Sequence, residues 1–464
     1  MSLSKDKSKR MIAIHGWAGV ALGLLLYVVI LTGAVAVFAS EIGKWTAGGT
    51  QASDPLDRPL DAALRSLGAT INPDYLEEIT VSSNSSGEIV AFFHTHAVHE
   101  ETGEPGDVGI MFYLDPVSLD VLRQYEGFRS DMPHDQVGAL DEFIVDMHVN
   151  LHIPGRWGLY ATGILGLMMM VATVSGILIH KHLIKDIFVS ARTSSPVLTR
   201  RDNHNLAATW SIPFAFILAF TGSFFSFAGT LALPVVAMIN FGGDQVAMIE
   251  TIVGKPLPPD ETPAGLANID DMVAHSSQIT GSSPSFLVIS HWGQADASVQ
   301  VGHPPASGHL TRSTHLFSGA TGEYRGTKPL IGTEESAGGV LLGWMGPLHF
   351  GNFQGLLSKV IWFALGIAMA YVTLTGLQLW VQRRREAPVW AFFSRVITTF
   401  GYGTATAMAG AGIGFFLALP HGAAIAWTAW GFILTSALCL AIGAVVLDED
   451  RLGDIMKGLL GLSL

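Results

Sequence analysis

The first apolar run of the chain begins at Met11 and ends at Ala39, with the sequence MIAIHGWAGVALGLLLYVVILTGAVAVFA. It is longer than the about 20 residues that a helix needs to cross a bilayer. It is also far longer than the roughly 7–15 apolar residues of a cleaved signal peptide, although four basic residues precede it. We therefore predict a retained membrane helix, which carries His15 near its start and Thr32-Gly33 near its end.

Five further runs are long and apolar enough to cross a bilayer, so the sequence predicts an α-helical polytopic membrane protein with six transmembrane helices. The five runs are Trp157–Ile179, Leu206–Leu233, Leu356–Val381, Val396–Leu419 and Ala423–Val446. Of the 464 residues, 49% are hydrophobic and 14% are charged, which excludes a disordered or fibrous chain. Cys439 is the single cysteine, so this chain alone builds no disulfide framework, iron–sulfur cluster or c-type haem attachment.

Basic residues mark the cytoplasmic side of the predicted helices. They are Lys5, Lys7, Lys9, Arg10, Lys181, Lys185, Arg192, Arg200, Arg201, Arg383, Arg384, Arg385 and Arg395. Both termini then lie inside the cell, and the long segments 40–156 and 234–355 face the periplasm from a bacterial inner membrane. The net charge of −12 and the acidic first segment exclude nucleic acid as a partner, and the lipid bilayer is the expected environment.

The predicted boundaries follow from these spans. They are 1–39 (tail and first helix), 40–156 (first outer domain), 157–180 (second helix), 181–205 (inner loop), 206–233 (third helix), 234–355 (second outer domain), 356–381 (fourth helix), 382–395 (inner loop) and 396–464 (last two helices and tail). Each outer segment is predicted to form one small α+β domain. The first has a helix at 59–67 and strands at 78–82, 89–94 and 110–114, with a further strand after a turn at 115–118. The second has a helix at 269–279, strands at 285–290 and 297–301, and a similar turn at 318–322.

The first four spans repeat one pattern, in which a histidine lies near the N-terminal end and a hydroxyl residue precedes a glycine. The histidines are His15, His148, His204 and His349, and the later steps are Thr32-Gly33, Ser175-Gly176, Thr221-Gly222 and Thr375-Gly376. The interval from histidine to glycine is 18 residues in the first and third spans, and 28 and 27 in the second and fourth. The pattern indicates a duplicated core of helix, outer domain and helix, with parallel copies related by an axis along the membrane normal.

The four histidines suggest a cofactor site near each membrane surface, because ligating side chains in membrane helices are costly and usually functional. His15 and His204 fall at the cytoplasmic level, and His148 and His349 at the opposite level. Two imidazoles per level would hold a flat macrocycle from both faces, as in a bis-histidine haem suited to electron transfer. The alternative is that these are ordinary interfacial histidines, and that the glycines serve only helix packing.

Neighbouring histidines leave two ligand positions open. His152 lies one turn after His148, but its interval to the glycine does not fit the repeat, which favours His148. The position equivalent to His180 in the second copy is Trp380, so we interpret His180 and His182 as basic interfacial residues. Candidate partners for haem propionates are Arg10, Arg156 and Arg201.

The outer histidines show no comparable pattern. His94 and His96 alternate on a predicted strand near His99, where a surface metal site competes with an ordinary polar strand face. Six further histidines lack recognisable ligand spacing: His275, His291, His303, His309, His315 and His421. The sequence has no Ser-His-Asp order, Walker loop or HExxH, so hydrolase and nucleotide-binding functions have no support.

Four groups of motifs surround the paired histidines. They are HGWAGVALGL from His15, MHVNL from Met147 with GRWG from Gly155, WSIP from Trp210 after His204, and LHFG from Leu348 with Trp362 and LTG from Leu374. In residues 8–385 the chain thereby resembles the PepSY-associated transmembrane family, although the helices after residue 395 depart from its four-helix core. The resemblance implies a bacterial inner-membrane ferric-siderophore reductase with PepSY-like periplasmic domains. It also implies that His15 and His204 hold one haem b, and that His148 and His349 hold a second.

We therefore expect a di-haem oxidoreductase that takes electrons from a quinol or a soluble cytoplasmic reductase and reduces ferric siderophores or other ferric chelates outside. Reduction weakens the hold of hard oxygen ligands on iron. The two iron positions are expected about 20 Å apart along the membrane normal. The alternatives are a permease for the intact chelate, a sensory or peptidase-regulating membrane protein, and a di-haem quinol oxidoreductase with another acceptor.

Overall fold

The computed structural model describes residues 4–48, 54–101, 103, 105–180, 188, 190–253, 259–306, 308–330 and 334–464. Lys181, Lys185 and His182 of the predicted inner loop lie outside these residues. The chain divides into two compact units. The helical unit consists of Met1–Ile42, Ala139–Ile239 and Leu348–Leu464, and the sheet unit consists of Gly43–Gly138 and Asn240–Pro347.

The helices are numbered in chain order. They are α1 (Lys5–Ala36), α2 (Ala39–Thr46), α3 (Asp61–Gly68), α4 (Ala139–Val149), α5 (Trp157–Ile179), α6 (Pro196–Phe227), α7 (Leu233–Phe241), α8 (Gln245–Val253), α9 (Ile269–Thr280), α10 (Ala337–Phe350), α11 (Gly355–Gln382), α12 (Pro388–Ala418), α13 (Ala424–Val445) and α14 (Glu449–Ser463). Within the described residues, six helices are long and apolar enough to cross a membrane: α1, α5, α6 with its continuation into α7, α11, α12 and α13.

The third and fifth spans begin earlier than the sequence predicted. Helix α6 begins at Pro196 instead of Leu206, because Ser195 is extended and Pro196 occupies the first helical position, where its missing N–H costs nothing. His204, which was predicted at the start of this span, therefore lies two turns inside α6, and the predicted boundary at 205/206 was ten residues too late. Helix α12 likewise begins with a proline, Pro388, instead of at Val396.

Two of the paired histidines lie on short helices that precede the spans. His148 is on α4, and a non-helical segment separates it from α5. His349 is on α10, which ends one residue later, before α11 begins at Gly355. Both histidines were predicted near the N-terminal ends of their spans, and the structure places each on a separate short helix just before its span. Each copy of the duplicated core therefore consists of a long helix, an outer segment, a short helix that carries a histidine, and a second long helix.

Four helices, α1, α5, α6 and α11, form the core of the helical unit, and each packs against two of the others in a closed ring. Their buried faces meet in a cluster that includes Leu26, Leu165, Phe214 and Met369. The last two spans, α12 and α13, form a tight hairpin, in which glycines bring the two backbones together. The hairpin is joined to the core by Tyr27 of α1, whose hydroxyl donates to the Gly401 carbonyl at 2.5 Å.

The sheet unit contains one antiparallel sheet in the order β4-β3-β2-β1-β5-β6-β7-β8. Its strands are β1 (Glu78–Ser83), β2 (Ile89–Val98), β3 (Pro105–Leu114), β4 (Val121–Phe128), β5 (Phe286–Ser290), β6 (Ser298–His303), β7 (Ser313–Ser318) and β8 (Tyr324–Thr327). Each outer segment contributes a helix and four strands; β1 to β6 lie close to predicted strands, whereas β7 and β8 flank the predicted turn at 318–322 and were not predicted. The two sets do not form separate domains as expected. They join through β1 and β5, with Glu78 opposite Ser290.

Helices α3 and α9 cover one face of this sheet and cap one another reciprocally. The Asp270 carboxylate accepts from the Leu60 and Asp61 N–H groups at 2.7 and 3.1 Å, and the Asp61 carboxylate accepts from the Ile269 N–H at 3.0 Å. The Arg65 guanidinium adds a bidentate salt bridge to the Asp61 carboxylate. Each outer segment thus completes the helix start of the other, and their apolar side chains share one core.

The second half of the sheet buries two histidines on a single serine. The Ser276 hydroxyl lies 2.7 Å from His303 Nε2 and 2.9 Å from His315 Nδ1. One hydroxyl can donate to only one of these rings, so it suits two neutral imidazoles. Burial lowers the pKa of both histidines, and the neighbouring rings, His315 beside His303 and His275 beside His315, lower them further.

The buried histidine of the first half has the opposite electrostatics. Burial lowers the pKa of His94, but hydrogen bonding to Glu78, at 3.5 Å, and to the Phe92 carbonyl more than offsets it, so the pKa lies above its usual value. His94 therefore stabilises this half most in its charged form. The stabilisation is fully present below the unfolded pKa and is lost as the pH rises through the folded pKa.

We predict that acid loosens β6 and β7 selectively. The folded pKa values of His303 and His315 lie below the unfolded value of about 6.5, so the unfolded chain binds more protons. Stability then falls as the pH drops below about 6.5, by at most about 1.4 kcal/mol per pH unit for each histidine. Hydrogen exchange of the intact protein, corrected for intrinsic rates, should show this loss in β6 and β7, while β2 and β3 remain protected.

The double substitution His303→Gln with His315→Gln should abolish this pH dependence. His309, which is exposed in the same segment, provides the matched control, because His309→Gln should leave it intact. Equal acid sensitivity of β2–β3 and β6–β7 would contradict the electrostatic explanation.

Candidate functional site

The imidazole of His15 is held by the neighbouring helix α5. Its Nδ1 donates to the Ala172 carbonyl at 2.9 Å and lies 3.2 Å from the Ser175 Oγ. The Ser175 hydroxyl donates to the Val171 carbonyl of its own helix at 2.6 Å, so its oxygen is an acceptor for the ring. The hydrogen on Nδ1 leaves Nε2 with a free lone pair, which is the atom that can ligate a metal.

His204 repeats this arrangement in the second copy. Its Nδ1 donates to the Val372 carbonyl of α11 at 3.0 Å and lies 3.1 Å from the Thr375 hydroxyl oxygen. That hydroxyl donates to the Tyr371 carbonyl at 2.8 Å. Ala172 and Val372, and likewise Ser175 and Thr375, occupy equivalent positions in the repeat, three residues apart in each case.

The other two histidines are held by α1 and α6. His148 Nδ1 donates to the Val29 carbonyl at 2.8 Å, whereas His349 Nδ1 lies 2.9 Å from the Thr221 hydroxyl oxygen. The Thr221 hydroxyl donates to the Ile217 carbonyl at 2.7 Å, so it again acts as the acceptor for the ring. All four imidazoles therefore present Nε2 for ligation.

The four histidines come together in two pairs. The ring centroids of His15 and His204 are 6.5 Å apart, and those of His148 and His349 are 6.0 Å apart. Two imidazoles that ligate one first-row metal ion from opposite sides, at metal–nitrogen distances of about 2 Å, have ring centroids about 6 Å apart. Both pairs are therefore spaced to share one metal centre each.

The glycine of each hydroxyl–glycine step lies against a histidine of another helix. A Cβ added at Gly33 would be 2.5 Å from His148 Cε1, and one at Gly176 would be 3.3 Å from His15 Cε1. The same distance is 3.1 Å for Gly222 with His349 and for Gly376 with His204. The sequence showed that the steps recur, but it did not show that each step holds the histidine of a partner helix.

The two pairs lie at different depths of the helical core. Val29, which holds His148, follows His15 by 14 residues within α1. At a rise of 1.5 Å per residue this places the two sites about 21 Å apart along the helix. The separation is similar in scale to the distance expected between two haem irons.

A cavity of about 140 Å³ adjoins the first pair. It lies between α1, α5, α6 and α11, and its lining is mainly apolar, with His15 and His204 among the polar exceptions. Within the described residues, no group of three or more His, Cys, Asp or Glu side chains could hold a metal ion. Two imidazoles supply only two ligands, so a metal held by this pair would need further ligands from a bound group, and the apolar lining on either side of the pair is compatible with such a group.

The alternative ligands are placed differently. His152 Nε2 donates to the Phe143 carbonyl at 3.0 Å, so this nitrogen is already engaged, and the His152 backbone has a φ of 52°. His180 caps the end of α5 and lines the cavity beside His15. Each of the proposed propionate partners, Arg10, Arg156 and Arg201, is exposed.

The histidines of the first outer segment are engaged singly with carboxylates. His96 lies 2.9 Å from Asp107, and His99 lies 2.9 Å from Asp131. His94 is directed toward Glu78, as described above. His96 and His99 are thus each hydrogen-bonded to a single carboxylate, whereas His94 is buried and departs from the ordinary polar strand face that competed with a surface metal site.

Comparison with known proteins places the chain in a family. The family model of the PepSY-associated transmembrane region matches residues 12–383. The chain belongs to the PepSY-associated transmembrane family. This match covers both pairs of histidines, and the sequence-based family prediction is confirmed. A family relative, the uncharacterized protein PA4219 of Pseudomonas aeruginosa, is 25% identical over 269 residues, which cover 54% of this chain and 65% of that protein.

We predict that an added methyl group at Gly33 displaces the His148 ring. The Gly33→Ala Cβ would lie 2.5 Å from the ring, so the ring or α1 must move, at a cost of about 1–3 kcal/mol. The thermal unfolding temperature of the purified protein should fall by several degrees. Gly19→Ala is the matched control in the same helix, because no atom lies within 4 Å of its Cβ. Equal stability of the two variants would show that the ring does not need this glycine.

Proposed function

We propose that this family member is a di-haem membrane oxidoreductase, in which His15 and His204 hold one haem b and His148 and His349 hold the other. The observation that supports this most strongly is that all four imidazoles have the same kind of surroundings. Each has Nδ1 bonded to the protein, Nε2 left for a metal, and a partner ring 6.0–6.5 Å away. Ordinary interfacial histidines have no reason to share a tautomer, a glycine contact and a pairwise spacing.

A haem b held by a pair of these histidines would supply a one-electron carrier. The residues of the chain do the rest. The carbonyl and hydroxyl groups on Nδ1 fix the direction of each ring, and the glycines allow the rings to approach the helices. The apolar side chains around Leu26 and Phe214 keep water out of the region between the two levels.

We propose that the protein carries electrons outward across the bacterial inner membrane to a ferric chelate in the periplasm. The basic residues beside His15 and His204 support a cytoplasmic position for that end. A quinol or a soluble reductase would provide one electron for each Fe³⁺ reduced to Fe²⁺. The reduced ion binds hard oxygen ligands more weakly and leaves the chelate, so no bond within the chelator needs to break.

The first test is the absorption spectrum of the protein purified from haem-replete cells. The wild type should carry two haems b per chain, with a Soret band and reduced-minus-oxidised α band. Alanine at His15, His204, His148 or His349 should remove about half of the haem, whereas His152→Ala and His180→Ala should retain both. A colourless wild-type protein would refute the proposal and leave a permease or a partner-binding protein as the explanation.

The second test separates chelate reduction from other electron-transfer functions. The dithionite-reduced protein, freed of reductant, should be reoxidised by a ferric siderophore, with one Fe²⁺ trapped by ferrozine for each electron lost. His349→Ala should abolish fast reoxidation, while His152→Ala should not. Haem that stays reduced in the presence of ferric chelates would point instead to a quinol oxidoreductase with another acceptor.

A further inference from the structure

The four repeated histidine contacts are not all alike. In three of them the ring Nδ1 donates to the carbonyl three residues before the hydroxyl residue: Val29 before Thr32, Ala172 before Ser175, and Val372 before Thr375. In the fourth, the equivalent carbonyl is that of Leu218, three residues before Thr221. His349 does not bond to it and instead donates to the Thr221 hydroxyl alone, at 2.9 Å.

The hydroxyls of Thr32 and Thr221 therefore differ in one contact. Thr32 is the repeat equivalent of Thr221, yet its hydroxyl donates to Val28 and Val29 at 2.8 and 3.2 Å and makes no bond to His148. Thr221 also donates to its own helix, at Ile217, but its oxygen is the acceptor for His349. Among the described residues, Thr32 therefore makes no hydrogen bond to a histidine ring, whereas Thr221 is the hydrogen-bond partner of His349 Nδ1.

The difference in acceptor changes how strongly each ring donates to a metal. A peptide carbonyl carries more negative charge on its oxygen than an alcohol does, so it polarises the ring N–H more and makes Nε2 a better donor. A better donor stabilises the ferric state and lowers the reduction potential, because second-shell hydrogen bonding tunes a haem through its axial ligand. His15 and His204 both donate to carbonyls with a second hydroxyl contact, whereas His349 has only an alcohol oxygen.

We infer that Thr221 is a positioning residue that sets the potential of the His148–His349 site above that of the His15–His204 site. This inference rests on the proposed function and adds a direction to it. An electron entering at the His15–His204 end moves to the site of higher potential and is held there for the acceptor. One of the four ring hydrogen bonds, that of His349, has a hydroxyl acceptor instead of a carbonyl. This difference makes electron transfer thermodynamically downhill toward the His349 end.

Potentiometric titration of the intact protein tests the inference. Wild type should titrate in two one-electron steps, and the His349→Ala variant should lack the step of higher potential. In Thr221→Val the ring N–H has no acceptor, so the higher potential should shift further upward and the lower should stay in place. Thr32→Val should move neither, because its hydroxyl does not touch a ring. Thr221→Ser, which keeps the hydroxyl, should restore the wild-type value.

The outcomes separate this inference from the function on which it rests. A wild-type protein without haem overturns both. Suppose that the wild type carries two haems but that Thr221→Val and Thr32→Val both keep the wild-type potentials. This result overturns the inference and leaves the function standing. The same holds if His349→Ala lacks the step of lower potential. If Thr221→Val weakens haem retention instead, the loss should be confined to one haem, on the order of 10–100-fold in affinity, and reversed by Thr221→Ser. Equal loss from Thr32→Val would overturn it.

Discussion

A half-buried imidazole between helices must place its N–H on an acceptor, and this requirement organises the helical unit. Helix backbones offer few acceptors, because each carbonyl already takes part in the helix ladder. The structure meets the requirement at the [Ser/Thr]-Gly steps. There the glycine lets the ring reach the backbone, and the carbonyl or hydroxyl next to it accepts the ring hydrogen. The same contact fixes the tautomer, so helix packing and the readiness of Nε2 for a metal have one cause.

The partners of these contacts lie on different helices, which couples the site to the fold. His15 of α1 depends on α5, and His148 next to α5 depends on α1. In each copy of the repeat, the histidine at one span is thus hydrogen-bonded to the other span, and the reverse. Pairing of the rings then joins one copy to the other. A change that separates α1 from α5 would disturb both levels at once, although they are about 21 Å apart.

The sequence predicted the spans, the repeat and the four histidines, because hydrophobic length and fixed intervals are local properties. It did not predict which glycine meets which histidine. That depends on the alignment of two helices separated by an outer segment of about 100 residues. It also began the third span ten residues too late, because charged residues such as Arg200 and Asp202 masked the first turns of α6. Most strands of the outer segments were predictable from alternation, but the pairing of β1 with β5 was not. Nothing in Glu78–Ser83 indicates that its second neighbour lies 200 residues later.

Equivalent elements meet across the repeat in both units. Antiparallel pairing joins β1 to its counterpart β5, Asp61 and Asp270 exchange caps, and each histidine pair joins the same position of the two copies. A homodimer with twofold symmetry has the same arrangement, and here both halves belong to one chain. A polypeptide with a single copy already holds every group needed for both histidine pairs and for the eight-stranded sheet, provided that it associates with a second molecule of itself. Fusion of the copies allows what such a dimer forbids, namely that Thr221 and Thr32 take up different tasks.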